Sequence, residues 1–447
     1  MSGDEDWSSS IDFPVRTLEC ASTMVIEIIT TGTELLLGRV LNTHQQWLSV
    51  RLADMGYVVG RQVSVADAGP AIAETAREAL GRADLVIITG GLGPTSDDLT
   101  RDYVARLLGK KLHEDPAILA HICAFFEQRN RPMPDAVRVQ ALVPEGAIVL
   151  ANPHGTAPGL AMELAPNPFR PERQASWIIM LPGPPRELRP MFIDSVAPLL
   201  RRVLPPDSEF VCRTLRTSGI GESFVQERIA VPLEASIAAG LELGYCARPG
   251  QVDVRLAARG VAAQNLVTEA EAVLRSRLAP YLFGAGDEEP ETVLIHSLAQ
   301  RQQTLALAES CTGGCLAHRL TNVPGASAVV LAGLVTYSNQ AKEKFLGVKA
   351  ETLARHGAVS QPVAAEMAEG ALRETKADYA LSVTGIAGPS GGSAEKPVGT
   401  VFIGLAGPFQ TVLERYFNPY DRETFKDVTA NQAFDLLRRT ISQVSGG

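Results

Sequence analysis

Residues 84–109 read DLVIITGGLGPTSDDLTRDYVARLLG. Leu85 to Thr89 form an apolar, β-branched run closed by glycine, which predicts a buried strand. Gly90, Gly91 and Gly93 then allow a tight loop, and the helix expected after it carries Asp97 and Asp98 in its first turn. Such a loop can cradle a phosphate with backbone N–H groups, while the two carboxylates can hold a hard divalent cation that bridges phosphate oxygens. A plainer reading makes Ser96 or Asp97 the N-cap and sets Asp98 against the helix dipole. Both can hold at once.

Upstream, VIEIITTG (25–32), THQQWLSVRLADMG (43–56), YVVGRQVSV (57–65) and PAIAETAREALGRA (70–83) alternate as strand, helix, strand, helix. That order implies a mostly parallel sheet covered by helices, with ligands near the C-terminal ends of the strands. Downstream, the Pro-rich LAPNPFRPER (164–173) precedes a buried-looking strand, WIIMLPGPP (177–185), and a boundary is expected near residue 205. A smaller α+β unit follows over 206–285, and GAGDEEPE (284–291) reads as a polar linker. From 291 to 447 a second α/β domain is expected, with strands at TLALAES, AVVLAGLVTYS, DYALSVTG and GTVFIGLAG and then a final helix. Regular apolar alternation begins only at Met24, so residues 1–23 are expected to be a disordered extension.

Composition sets outer limits. With 447 residues, 45% hydrophobic and 20% charged, the chain is long enough for about three globular domains. A formal charge of -9 argues against general polyanion binding. Six cysteines without a CxxC pair are expected to be buried or semi-buried free thiols in a reducing compartment. No secretion signal or membrane-spanning run is evident, and the expected location is the cytoplasm.

The sharpest local chemistry is TLALAESCTGG (304–314), a strand that ends at Ser310 and turns through Gly313 and Gly314 into a helix. Such a turn can set a hydroxyl beside backbone N–H groups able to hold an oxyanion. From this segment alone, a helix cap by Ser310 or Thr312 is the simpler reading. A nucleophilic serine needs a base, and His296, His318 and His356 show no local arrangement that marks one out. Lysine serves if its pKa is lowered, and LVTYSNQAKEKFLGV (334–348) supplies Tyr337 and Lys342 beyond an apolar strand. In LSVTGIAGPSGG (381–392), Thr384, Gly385 and Gly388 permit close backbone approach to a ligand, or simply a tight turn. Lys396 can meet an anion.

In order, AESCTGG, GLVTYSNQAKEKFLGV, HGAVSQPVAAEMAEGA, SVTGIAGPSGG and KPVGTVFIGLA resemble the CinA C-terminal domain, the nicotinamide mononucleotide deamidase family. The resemblance implies a metal-independent amidase in which Ser310 is the nucleophile and Tyr337 and Lys342 activate it. It also makes the turn at Thr384 and Arg422, in YDRET, candidates for orienting nicotinamide mononucleotide. Over about 24–200, TTGTELLLGRVLNTH, the 84–109 loop, QALVPEGAIVL, ANPHGTAPG and LPGPPREL resemble the CinA N-terminal domain, a MogA- and MoaB-like three-layer α/β fold. That resemblance implies metal-dependent ADP-ribose pyrophosphatase activity, with Glu34, Asn42, Gly90, Gly91, Gly93 and Glu187 at a nucleotide site and a divalent metal at Asp97 and Asp98. His44 departs from a more usual asparagine. Residues 206–285 resemble the family's KH-like domain, but SGIGES (218–223) lacks the GXXG spacing of nucleic-acid clamps. A structural or dimerisation role is expected there, within a homodimer. Two other readings remain open: an interaction protein of competence or DNA repair, with a partner such as RecA, and a molybdopterin-binding module.

Overall fold

The computed structural model describes residues 24–443 apart from 172, 173 and 207; the expected 1–23 extension lies outside them. Contacts divide the chain into two compact units that meet in sequence at Phe210 and Val211.

The first unit is built on a six-stranded sheet in the order Val59–Val65, Ile26–Thr31, Leu85–Thr89, Ser176–Leu181, Gly159–Leu164, Ile148–Leu150. Its first four strands are parallel and the last two antiparallel. Alternation explains the three layers. Ile29, Val86, Ile88, Ile178 and Met180 enter one core, while Ile26, Ile28, Leu85, Ile87, Ile179 and Leu181 enter the core on the opposite face. Both faces are covered by helices, so the strands read as continuous apolar runs. Thr31, Thr89 and Leu181 end in neighbouring register, and the loops that follow them share one edge of the sheet.

In the second unit, a four-stranded sheet runs Glu242–Arg248, Gln251–Arg259, Phe210–Ser218, Leu282–Ala285, with the helices Glu222–Ala238 and Ala263–Leu278 packed on one core. Gly284 and Ala285 are therefore strand, not linker: the strand is too short to show alternation. The remaining sheet runs Val330–Val335, Leu305–Glu309, Tyr379–Gly385, Thr400–Ala406, Thr411–Phe417. Its first three strands are parallel and its last two antiparallel, with apolar clusters on both faces. The edge strand TVLERYF escapes a reading by sequence pattern because it is only half-buried and carries Glu414 and Arg415. Among the described residues, no helix is long and apolar enough to cross a membrane. Five cysteines are described, none in a disulfide; Cys246 is exposed, unlike the expected semi-buried thiols.

Candidate active site

Leu305–Glu309 is buried throughout, and at its end Ser310 N–H donates to Val383 O at 3.0 Å, so the nucleophile candidate is fixed by the neighbouring strand. The chain then reverses through Gly313 (φ 63°) and Gly314 (φ 98°), left-handed values that favour glycine. Neither Ser310 nor Thr312 caps the Cys315–Thr321 helix. Glu309 does so from below: its carboxylate accepts from Gly314 N–H (3.0 Å), Leu316 N–H (3.1 Å) and Ala317 N–H (2.9 Å). This buried carboxylate takes the positive end of the helix and leaves the Ser310 hydroxyl for other work.

Lys342 meets that hydroxyl. Its helix, Asn339–Leu346, starts where the Ser338 hydroxyl accepts from Ala341 N–H, which fixes the lysine one turn beyond the Val330–Val335 strand. The side chain is only 1% exposed, and Nζ donates to Thr336 O at 2.7 Å, to Tyr337 O at 3.4 Å and to Ser310 Oγ at 2.9 Å. No carboxylate pairs with it among the described residues. Burial pushes its pKa below the ordinary value, opposed by the neighbouring Cys311 thiol, itself pushed up to about 12 by burial. A neutral amine would give its two N–H bonds to the two carbonyls and turn its lone pair to the Ser310 hydroxyl.

Other predicted residues are placed differently. Tyr337 is 62% exposed, and its hydroxyl accepts from Arg422 Nη2 at 2.9 Å rather than meeting Ser310 or Lys342. Arg422 Nη1 donates to Gly388 O at 2.9 Å, so this guanidinium ties Tyr337 to the Gly-rich turn. Thr384 spends its hydroxyl on Ala358 O and Lys396 its ammonium on His356 O, both at 2.8 Å. Gly385 and Gly388 are required by packing: a Cβ would stand 2.8 Å from Thr400 O at the first and 2.5 Å from Val398 Cγ1 at the second. Gly313 N–H is used by Ser310 O. With Gly314 also occupied by Glu309, the N–H groups of Cys311 and Thr312 are bonded to no oxygen among the described residues and lie against the Cys311 sulfur. Thr312 Oγ1 is also buried without a partner.

In the first unit the three loop glycines are needed because the loop folds on itself. An added Cβ would stand 2.6 Å from Thr31 Oγ1 at Gly90, 2.1 Å from Thr100 Oγ1 at Gly91 and 2.3 Å from Asp98 Oδ2 at Gly93. Asp98 Oδ2 accepts from Thr95 N–H at 2.9 Å and from the Thr95 hydroxyl. The helix starts later than expected, at Thr100 after Leu99, so neither Ser96 nor Asp97 caps it and Asp98 closes the loop instead. Asn42 caps the Thr43–Asp54 helix and donates to Ser64 Oγ. Glu34 is exposed. Glu187 is buried and accepts from Asn152 Nδ2 at 2.8 Å, against Gly155. Sequence reasoning missed Glu309, which bonds the start of the helix that follows it, and Asn152, which bonds Ala157 O and Glu187 in the Pro185–Met191 helix.

Among the described residues no three His, Cys, Asp or Glu side chains cluster to hold a metal. Asp97 and the second oxygen of Asp98 fit a cation only if substrate oxygens and water complete its shell, the mode usual for magnesium with phosphates.

Three family descriptions match the chain in succession: "Probable molybdopterin binding domain" over 27–202, "Damage-inducible protein CinA KH domain" over 212–284, and "CinA C-terminal domain" over 287–441. A CinA-like protein of Akkermansia muciniphila is 44% identical over 411 residues, covering 91% of this chain and 95% of its own. The chain belongs to the CinA family. A second CinA-like protein, from Gemmatimonas aurantiaca, is 39% identical over 432 residues, 95% of this chain and 98% of its own. Among solved structures, the competence/damage inducible protein CihA of Agrobacterium tumefaciens is 40% identical, covers 34% of this chain and 94% of its own, and aligns with a TM-score of 0.33. Within the CinA C-terminal domain of this chain, Ser310 and Lys342 are the pair in direct contact.

Proposed function

We propose that the C-terminal domain is an amidohydrolase that converts nicotinamide mononucleotide to nicotinic acid mononucleotide and ammonia. The observation that carries this is the 2.9 Å contact between Ser310 Oγ and the buried Lys342 Nζ. Neutral Lys342 takes the Ser310 proton as Oγ attacks the carboxamide carbon, and the oxyanion is received by the Cys311 and Thr312 N–H groups. Lys342 returns the proton to the leaving nitrogen, the C–N bond breaks, and ammonia departs. Water, deprotonated by the same amine, then cleaves the acyl-serine ester and restores the hydroxyl. No metal enters this scheme. The test is to incubate the protein with nicotinamide mononucleotide, with and without chelator, and to measure ammonia and the acid product. Absence of both sinks the proposal.

For the N-terminal domain we propose metal-dependent hydrolysis of ADP-ribose. Asp97 and Asp98 would hold a divalent cation, which when bound supplies charge neutralisation on the diphosphate. The Gly90–Gly93 loop supports this by offering backbone beside those carboxylates. The description of the matching family favours a second reading, molybdopterin binding, which predicts ligand retention without turnover. We further propose, from the family resemblance, that the protein is a cytoplasmic homodimer. The charge of -9 weighs against direct nucleic-acid binding, and a recombination partner such as RecA would have to be recognised through protein contacts.

A further inference from the structure

The Arg422–Gln443 helix brings two cations to the Ser310 turn, one helical turn apart. Arg422 gives two of its five N–H donors to Tyr337 and Gly388. Lys426 gives none. Its Nζ stands 3.8 Å from where a Cβ on Gly313 would be, and it makes no hydrogen bond or ion pair among the described residues. Glu423, three residues back on the same helix, is exposed and does not pair with it; three other acids nearby are engaged elsewhere. Asp421 accepts from Glu423 N–H, Thr424 N–H and the Thr424 hydroxyl, Asp427 takes the Cys315 thiol at 3.7 Å, and Glu309 is turned inward onto backbone N–H groups. In a chain of charge -9, an uncommitted ammonium held beside the glycine three residues from the nucleophile is a feature that solvation alone does not require.

We propose that Lys426 is the anion-recognition residue of the Ser310 site and that the anion is a phosphate monoester carried by the amide substrate. The inference rests on the amidase reading and deepens it, because it makes the site select a phosphorylated amide over its unphosphorylated counterpart. Lysine suits this role, since a compact charge with three rotatable donors can follow a phosphate group whose acceptors point in several directions. Gly313, with φ 63°, keeps the turn free of a side chain, and the ammonium stands beside it at ordinary contact distance. Arg422 and Lys396, the cations that the sequence points to for substrate contact, are both committed to backbone or phenol oxygens.

The test compares nicotinamide mononucleotide with nicotinamide riboside, which lacks the phosphate, in the full chain and in Lys426→Ala, Lys426→Glu and Lys426→Arg. The ratio of kcat/KM for the two substrates should fall about ten-fold or more in Lys426→Ala, fall further in Lys426→Glu and be largely restored in Lys426→Arg. An unchanged ratio in folded Lys426→Ala overturns the proposal. A second measurement keeps the two readings apart: calorimetric titration of nicotinamide mononucleotide into Ser310→Ala and into Ser310→Ala/Lys426→Ala. Weaker binding in the double variant supports Lys426 even where the wild-type chain releases no ammonia, an outcome that would sink only the amidase reading. Equal affinity, or no binding to either, overturns the Lys426 proposal.

Discussion

Glu309 Oε2 accepts the Gly314 N–H at 3.0 Å from beneath the turn that carries Ser310. With the bonds to Leu316 and Ala317, one buried carboxylate satisfies three backbone donors at the start of the following helix. Glu309→Ala strands those donors and should cost roughly 3 kcal/mol, on the scale of hydrogen bonds to a charged group. It should also lower kcat, because the turn loses its anchor. Glu309→Gln should lose less. Urea unfolding of the three proteins checks the ranking, and equal midpoints would show that the turn holds itself.

Lys342 sets a pH dependence. Its pKa is lowered in the fold by burial, so between that value and about 10.4 the unfolded chain binds more protons than the folded one. Stability therefore rises with pH across this window. Below the folded pKa the cost of the buried ammonium is carried in full. Activity should likewise rise with pH along an acid limb, as Lys342 loses its proton. Lys342→Met should flatten the stability profile, read from urea midpoints between about pH 7 and 10. A wild-type profile that is already flat would argue against a lowered pKa.

Ser310→Ala and Lys342→Ala should each lower kcat by orders of magnitude, and the double variant should be little worse than either, since the two act as a unit. Tyr337→Phe should cost much less, because its hydroxyl faces Arg422 and only its carbonyl touches Lys342. Ammonia release from nicotinamide mononucleotide by variants shown to be folded decides this. A folded Lys342→Ala with near-normal kcat would return the search for a base to the histidines.

Asp97 and Asp98 should separate by stability. Asp98→Ala removes the acceptor that closes the loop onto Thr95 and should cost about 1 kcal/mol, as loss of a cap does, whereas Asp97→Ala should cost less, because its carboxylate is exposed although hydrogen bonding with Thr95 and its own N–H holds it below the usual carboxylate range. Both should lose metal-stimulated ADP-ribose hydrolysis while sparing the amidase. Full pyrophosphatase activity in the double variant would remove these residues from the metal site.

Much of this protein is determined by local patterning that a reader of the sequence can see. The runs IEIITT, LVIIT and LALAE are apolar on both faces because helices cover both sides of their sheets, so strand, crossover helix and parallel sheet follow from composition alone. Ser310 and Lys342 are legible as candidates through the segments around them. Tertiary structure alone decided which of them meet, because hydrogen bonds join atoms that are remote in sequence. Across a separation of 32 residues, Lys342 reaches Ser310, while Arg422 crosses 85 residues to take the Tyr337 hydroxyl. The partners of Glu309 lie only five to eight residues on, yet as the last residue of an apolar strand it looks like an edge charge, and only the folded turn shows its carboxylate under the helix. Residue type and spacing encode which way a backbone segment runs, but the partner of a buried polar group is chosen by the packing of every element around it.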